Sequence, residues 1–145
     1  MLDRNWIAAR IPHQGNMCLL EQVTDWNNER IVCRTASHRL PDNPMRLNGR
    51  LGAACGIEYA AQAMAVHGAL LANATTRPRK GYLTSVRDVE LLTERLDTVD
   101  GNLLIEAERL SGDDNLVLYG FAVLTAERHI LLRGRAAVVM DAERL

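Results

Sequence analysis

The sequence predicts an α+β fold in which one long central helix is wrapped by a curved antiparallel sheet. Three observations support this prediction. Residues 52–72 are almost entirely small or apolar, as in a helix that is buried nearly all round. Two strand-like segments precede this stretch, and four more apolar segments of strand length follow it. One apolar helix between these strands can be buried only if the sheet curls around it.

The part of the chain before the long helix predicts a short helix and a hairpin. Residues 3–9 can form one helical turn, which Pro12 and Gly15 prevent from continuing. Strands are expected over about 18–24 and over 30–36, on either side of turn-forming residues. Residues 38–49 carry two prolines and show no periodicity, so we expect a loop that leads into the long helix.

The part of the chain after the long helix has the period-two pattern of strands. Its apolar segments cover residues 81–92, 102–110, 116–125 and 130–140, and turn-forming residues separate them. We therefore expect a meander of four successive antiparallel strands. Such a sheet wrapped around one helix is the hotdog fold.

Composition limits the class of protein. A chain of 145 residues fits one domain, residues 1–145, and its 48% apolar and 24% charged residues are ordinary for a globular protein. A net charge of -1 argues against nucleic-acid binding, and no stretch is long and apolar enough to span a membrane. We expect a cytoplasmic protein. Cys18, Cys33 and Cys55 form no paired motif, which favours buried thiols over a zinc site or a disulfide framework.

Glu58 is the first candidate for function. It shares a helix face with Gln62, four residues later, within an otherwise apolar helix. A carboxylate is costly there unless it has a use or a partner, and desolvation is one way in which enzymes raise a carboxyl pKa for acid work. The structural alternative is that Glu58 caps backbone N–H groups or pairs with an arginine. We expect Gln62 to orient another group rather than to react.

Several segments resemble one known family over most of the chain. They are Ile11-Pro12-His13, the strand residues 18–23, Glu58 followed by Ala61-Gln62, and Gly81 at the start of a strand. These segments are similar to those of the hotdog-fold 3-hydroxyacyl-(acyl carrier protein) dehydratases. They resemble more closely the dehydratase-like proteins encoded with aryl-polyene and related fatty-acid-like pathways.

The resemblance implies dehydration of 3-hydroxyacyl thioesters carried on acyl carrier protein. In that family a histidine base and the helix carboxylate come from different subunits of a dimer, and a backbone N–H at a helix start stabilises the thioester enolate. The resemblance thus makes His38 the base and Glu58 the acid that protonates the departing hydroxyl. It also implies substrate contacts at Gly52, Ala53, Gln62 and His13. This chemistry requires no metal or nucleotide cofactor.

The position of the histidine departs from the family pattern. His38 precedes Glu58 by twenty residues, which is more than the family spacing. An ungapped alignment on Glu58 instead places Pro44 at the histidine position. In that register the base would have to be His38 or His13, recruited from elsewhere in the fold.

The predicted partners follow from charge and from the resemblance. A basic rim able to receive the acidic surface of an acyl carrier protein, with its phosphopantetheine-linked acyl chain, would comprise Arg46, Arg50, Arg77, Arg79 and Lys80. The alternative is that these residues are simply solvated. We expect a homodimer or higher oligomer, or a heterodimer with a related hotdog subunit. Two other functions stay open: a hotdog acyl thioesterase, and a non-catalytic acyl-binding partner subunit of a dehydratase heterodimer.

Overall fold

A computed structural model describes residues 2–13, 15–72, 82–113 and 115–141, and these residues adopt the predicted hotdog fold. The helices are α1 (Arg4–Ala8) and α2 (Gly56–Leu71). The strands are β1 (Gln22–Trp26), β2 (Arg30–Thr35), β3 (Tyr82–Leu91), β4 (Leu103–Gly112), β5 (Leu116–Thr125) and β6 (Ile130–Val139). Within the described ranges, no helix has the length and apolar character needed to cross a membrane.

Helix α2 is the central element, and it packs against β2, β4 and β5. It approaches β6 closely at Gly56, where an added Cβ would lie 2.6 Å from Cδ2 of Leu132. One face of α2 is less buried than the sequence predicts, because the sheet curves around the other side. Glu58, Ala61 and Ala65 on this face are partly exposed. The prediction of burial nearly all round is therefore wrong for this face.

The six strands form one antiparallel sheet in the order β1-β2-β4-β5-β6-β3. The predicted hairpin and the run from β4 to β6 are confirmed, but β3 pairs with β6 and not with β4. The predicted meander of four successive strands is wrong for β3, because the connection from β3 to β4 crosses the start of α2. There the N–H of Ala53 donates to the carbonyl of Glu94 at 3.1 Å, and the N–H of Leu96 donates to the carbonyl of Leu51 at 2.7 Å.

The core lies between α2 and the concave face of the sheet. Buried and less buried residues alternate along β4 and β5, as expected for strands with one face in the core. The buried residues of these strands are Leu103, Ile105, Ala107, Val117, Tyr119, Phe121, Val123 and Leu124. Cys18 and Cys33 are buried, as expected, whereas Cys55 is partly exposed.

Strand β3 is an edge strand with an apolar surface. Leu83, Val89 and Leu91 are 38%, 36% and 50% exposed on it. Among the described residues, β6 is its only strand partner, so the other backbone edge of β3 is open. An open apolar edge of this kind is suited to pairing with a strand of another chain.

Candidate active site

Glu58 and His13 are in hydrogen-bond contact within the same chain. Nε2 of His13 lies 2.9 Å from Oε1 of Glu58, and the two side chains are 26% and 32% exposed. Glu58 is the third residue of α2, and His13 follows Pro12 in the turn after α1. The chain thus brings together two predicted site residues that are far apart in the sequence.

Gln62 holds this pair in place through three hydrogen bonds. Its Nε2 donates to the carbonyl of Met17 at 2.8 Å and to Oε1 of Glu58 at 3.3 Å. Its Oε1 accepts the N–H of Leu19 at 2.9 Å. The amide therefore joins α2 to the segment that follows His13, and it confirms that Glu58 and Gln62 share a helix face.

The two oxygens of Glu58 have different surroundings. Oε1 receives both the His13 contact and the Gln62 hydrogen bond. Oε2 has no hydrogen bond from any described residue of the chain, and the side chain is about one-third exposed. Oε2 is therefore the oxygen of Glu58 that the described residues leave without a hydrogen bond.

The pKa of Glu58 reflects two opposing influences. Burial raises this pKa, but hydrogen bonds from His13 and Gln62 and the charge of His13 outweigh burial and leave the pKa below its ordinary value. Desolvation was expected to raise the pKa of Glu58, but the net pKa is lower than the ordinary value. At neutral pH Glu58 is a carboxylate.

His38 lies elsewhere in the fold. Its side chain is fully buried, and its Nε2 lies 2.9 Å from the carbonyl oxygen of Val99. Burial lowers the pKa of His38. Within the described chain, no hydrogen bond or ion pair joins His38 to Glu58. This position argues against the predicted role of His38 as the base, because a base must reach its substrate.

A buried hydrogen-bond network fixes the loop that contains His38. The hydroxyl of Tyr59, the residue after Glu58, lies 2.9 Å from Oγ of Ser37 and accepts a hydrogen bond from Nδ2 of Asn43 at 2.9 Å. Nδ2 of Asn43 also donates to the carbonyl of Ser37 at 2.9 Å. The loop is therefore anchored to α2 one residue from the carboxylate.

The start of α2 contains the predicted substrate contacts Gly52 and Ala53. The N–H of Ala53 donates to the carbonyl of Glu94 and is therefore not available to a substrate, whereas the substrate contact at Ala53 stays a prediction. Gly52 is exposed, and an added Cβ there would meet no atom within 4 Å. A side chain added at Gly52, beside the helix start, would therefore meet no steric barrier among the described residues.

Only part of the predicted basic rim can be located in the structure, and one of its arginines is already bonded within the chain. Arg46 is 17% exposed, donates to the carbonyl of Gly49 at 2.8 Å and lies 3.9 Å from the carboxylate of Asp97. Arg50 is exposed beside it. Arg77, Arg79, Lys80 and the strand-opening Gly81 lie outside the described residues.

Sequence reasoning missed Asp97. Its carboxylate accepts the N–H of Leu51 at 3.0 Å and bonds the guanidinium of Arg95, which holds the pKa of this carboxyl well below its usual range. Asp97 thereby fastens the crossing connection to the residues before α2. Arg95 and Asp97 carry opposite charges and lie two residues apart between two predicted strands. This pattern was the signal in the sequence that could have indicated their contact.

Comparisons with known proteins agree with this fold. The family model described as ApeP-like, ApeP dehydratase, matches residues 6–144. A similar solved structure is the dehydratase heterocomplex ApeI:P from Xenorhabdus doucetiae, with 22% identity, a TM-score of 0.80, and coverage of 95% of this chain and 92% of that chain. Zebrafish thioesterase superfamily member 2 is 12% identical, with a TM-score of 0.64 and coverage of 97% and 99%. No curated protein shows a significant match.

Proposed function

This chain belongs to the ApeP-like dehydratase family, and from this premise we propose that it dehydrates 3-hydroxyacyl thioesters carried on acyl carrier protein. One observation carries the proposal. Oε2 of Glu58 lies at the partly exposed face of α2 without a hydrogen bond from the described residues, and His13 and Gln62 hold the carboxylate from behind. We assign the pathway to fatty-acid-like or aryl-polyene synthesis in the cytoplasm.

Loss of water from such a thioester needs two proton transfers. A proton leaves the α-carbon, and the hydroxyl on the β-carbon departs with a proton as water. The negative charge that develops on the thioester oxygen is stabilised by backbone N–H groups at a helix start. The thioester carbonyl can approach Gly52 without a steric barrier among the described residues, and Glu58 lies within the first turn of the same helix.

A second hotdog subunit is the proposed protein partner. The open apolar edge of β3 favours strand pairing with it, and the similar ApeI:P structure is a heterocomplex. For the carrier protein, Arg50 is a better contact than Arg46, which is bonded within the chain. Leu47 is 75% exposed in the same turn, where it can add an apolar contact. The roles of Arg77, Arg79 and Lys80 stay predictions.

The test measures dehydration of the same 3-hydroxyacyl group attached either to acyl carrier protein or to coenzyme A. The chain is assayed alone and together with a candidate second hotdog subunit. We expect loss of water with the thioester intact, measured as a decrease in mass and a gain of enoyl absorbance. Release of free thiol would favour the thioesterase alternative. Turnover that requires the second subunit and survives Glu58→Gln would favour the non-catalytic partner alternative.

A further inference from the structure

We infer that Arg46 and Asp97 are positioning residues that hold the turn 47–50 at a fixed distance from the start of α2. This inference rests on the proposed function and deepens it. The turn carries the proposed carrier contacts Leu47 and Arg50, and the helix start carries the proposed thioester contact. A substrate on the phosphopantetheine arm of a carrier protein has to reach both places at once.

The turn 47–50 has a defined backbone conformation. The N–H of Leu47 donates to the carbonyl of Arg50 at 2.8 Å, and the N–H of Arg50 donates to the carbonyl of Leu47 at 3.1 Å. The two central residues, Asn48 and Gly49, have φ angles of 53° and 74°, as in the two-residue hairpin turns that asparagine–glycine pairs favour. Leu47 and Arg50 are thus directly opposite each other, and side chains of opposite residues lie on the same face.

Arg46 ties this turn to other parts of its own chain. Its Nη1 donates to the carbonyl of Gly49 at 2.8 Å, and its Nη2 donates to the carbonyl of His38 at 3.3 Å. Nη1 also lies 3.9 Å from Oδ2 of Asp97, and the side chains of Arg46 and Asp97 are 17% and 5% exposed. A guanidinium engaged in this way orients the turn instead of contacting the carrier protein.

Asp97 ties the same group of contacts to the helix start. Its Oδ1 accepts the N–H of Leu51 at 3.0 Å and a hydrogen bond from Nε of Arg95 at 2.9 Å, and the Arg95 guanidinium also bonds Oδ2. The N–H of Leu96 donates to the carbonyl of Leu51 at 2.7 Å, so both backbone groups of Leu51 are fixed. Leu51 is the residue between the turn and the helix start. One carboxylate therefore sets the position of each relative to the other.

A fixed separation matters because a flexible arm joins the two contacts of the substrate. Once the carrier is docked, the thioester reaches the helix start by an intramolecular step, whose effective concentration depends on the distance between the sites. A turn that moves relative to the helix start spreads this distance over many values and lowers that concentration. A coenzyme A thioester makes no carrier contact, so it is insensitive to the position of the turn. The contacts of Arg46 and Asp97 lie within one chain at low exposure, so a second subunit adds to them without replacing them.

The test compares Asp97→Asn, Arg46→Lys and Asp113→Asn in the active protein, with its second subunit if turnover needs one. Asparagine keeps an acceptor for the N–H of Leu51 but lacks the charge that attracts the guanidinium groups, and lysine keeps a charge but lacks the forked donors. Each of the first two changes should raise KM about tenfold for the carrier-linked substrate and change KM for the coenzyme A substrate less than about threefold. Asp113 accepts the N–H of Leu116 at 2.8 Å in the turn between β4 and β5, so Asp113→Asn is the matched control and should change neither KM. An equal rise of KM for both substrates in Asp97→Asn would overturn the inference.

Two further measurements separate positioning from a general loss of stability. Arg50→Gln should raise KM for the carrier-linked substrate, and its effect should be smaller in the Asp97→Asn protein, because a displaced turn no longer presents Arg50 to the carrier. Fully additive effects would overturn the inference. Amide hydrogen exchange over residues 47–53 should become faster in Asp97→Asn and not in Asp113→Asn, and this measurement needs no substrate. Unchanged exchange would likewise overturn the inference, whereas faster exchange in a protein that dehydrates neither thioester overturns the proposed function instead.

Discussion

The N–H of Leu19 and Oε1 of Gln62 are joined by a hydrogen bond of 2.9 Å that is buried in the protein. It links the helix that carries Glu58 to the segment that follows His13. The same amide donates to the carbonyl of Met17, so one side chain satisfies two backbone groups of a segment that forms no sheet ladder. The geometry of the candidate site therefore depends on Gln62 as much as on the pair that it supports.

Replacing Gln62 tests this dependence. Gln62→Leu keeps approximate volume but leaves buried backbone groups of Met17 and Leu19 without partners, at a cost of about 1–3 kcal/mol for each group. We expect a loss of unfolding free energy in this range or above it, together with lower turnover. Urea denaturation measures the first effect. Gln62→Glu retains an acceptor for Leu19 but places a second buried acid against Glu58 and the carbonyl of Met17, so it should not restore stability. Equal stability of Gln62→Leu and the wild type would contradict this role.

Glu58→Gln tests the carboxylate itself. The amide keeps the size of the side chain but cannot exchange a proton, so dehydration should fall by about 10²–10⁴-fold. Circular dichroism and the melting temperature should change little, since Glu58 is partly exposed. Glu127→Gln, in the exposed turn between β5 and β6, is the matched control and should be fully active. Normal turnover of Glu58→Gln would remove Glu58 from the mechanism.

The long central helix and the strands could be predicted because their signals are local. The composition of residues 52–72 and the alternation after them predict α2 and β3 to β6 closely. The neighbour of β3 could not be predicted, because pairing with β6 depends on a connection that crosses the start of the helix. β1 begins at Gln22 and not near Cys18, because Leu19 is bonded to Gln62 and to the hydroxyls of Thr35 and Ser37.

The candidate site was predicted in part. Glu58 and Gln62 were identified by their polarity within an apolar helix. The resemblance assigned the base to His38 of a different subunit, which stays a prediction, whereas within this chain the fold places His13 beside Glu58. A contact between residues so far apart in sequence has no local signature. The burial of His38 likewise depends on Val99, which arrives only through the crossing connection.

The Tyr59 hydroxyl provides a separate test of the loop that holds His38. Tyr59→Phe removes the buried contacts to Ser37 and Asn43, and we expect a loss of about 1–2 kcal/mol of unfolding free energy. Limited proteolysis should become faster within residues 37–44. Tyr119→Phe removes a comparable buried hydroxyl from His67 and should destabilise the fold without this local cleavage. Unchanged proteolysis of Tyr59→Phe would contradict the anchoring role.

Two glycines near the start of α2 should respond differently to alanine. In Gly56→Ala the new Cβ would lie 2.6 Å from Cδ2 of Leu132, and such overpacking costs about 1–3 kcal/mol. Gly52→Ala meets no atom within 4 Å, so its stability should stay within about 0.5 kcal/mol of the wild type. If the thioester occupies the space at Gly52, the Gly52→Ala enzyme should show a higher KM. An unchanged KM would place the thioester elsewhere.

Stability should depend on pH through His38. Burial lowers the pKa of His38 from its ordinary value of 6.5, so the unfolded chain binds a proton below pH 6.5 that the folded chain does not yet bind. The unfolding free energy should therefore fall as the pH falls below 6.5, by up to about 1.4 kcal/mol per pH unit for one histidine. His38→Gln should reduce this slope without abolishing it, because burial lowers the pKa of His67 as well. An identical slope in His38→Gln would exclude His38 as its source.

The connection between β3 and β4 also has a consequence for biosynthesis. The backbone groups of Leu51 and Ala53 find their partners in Leu96 and Glu94, which leave the ribosome after β3 has been made. Helix α2 can form early from its own residues, but its first turn stays open until this later segment returns to cover it. A site assembled from such distant parts is completed late, so a stalled or shortened chain that ends before Leu96 contains Glu58 and His13 without the finished helix start.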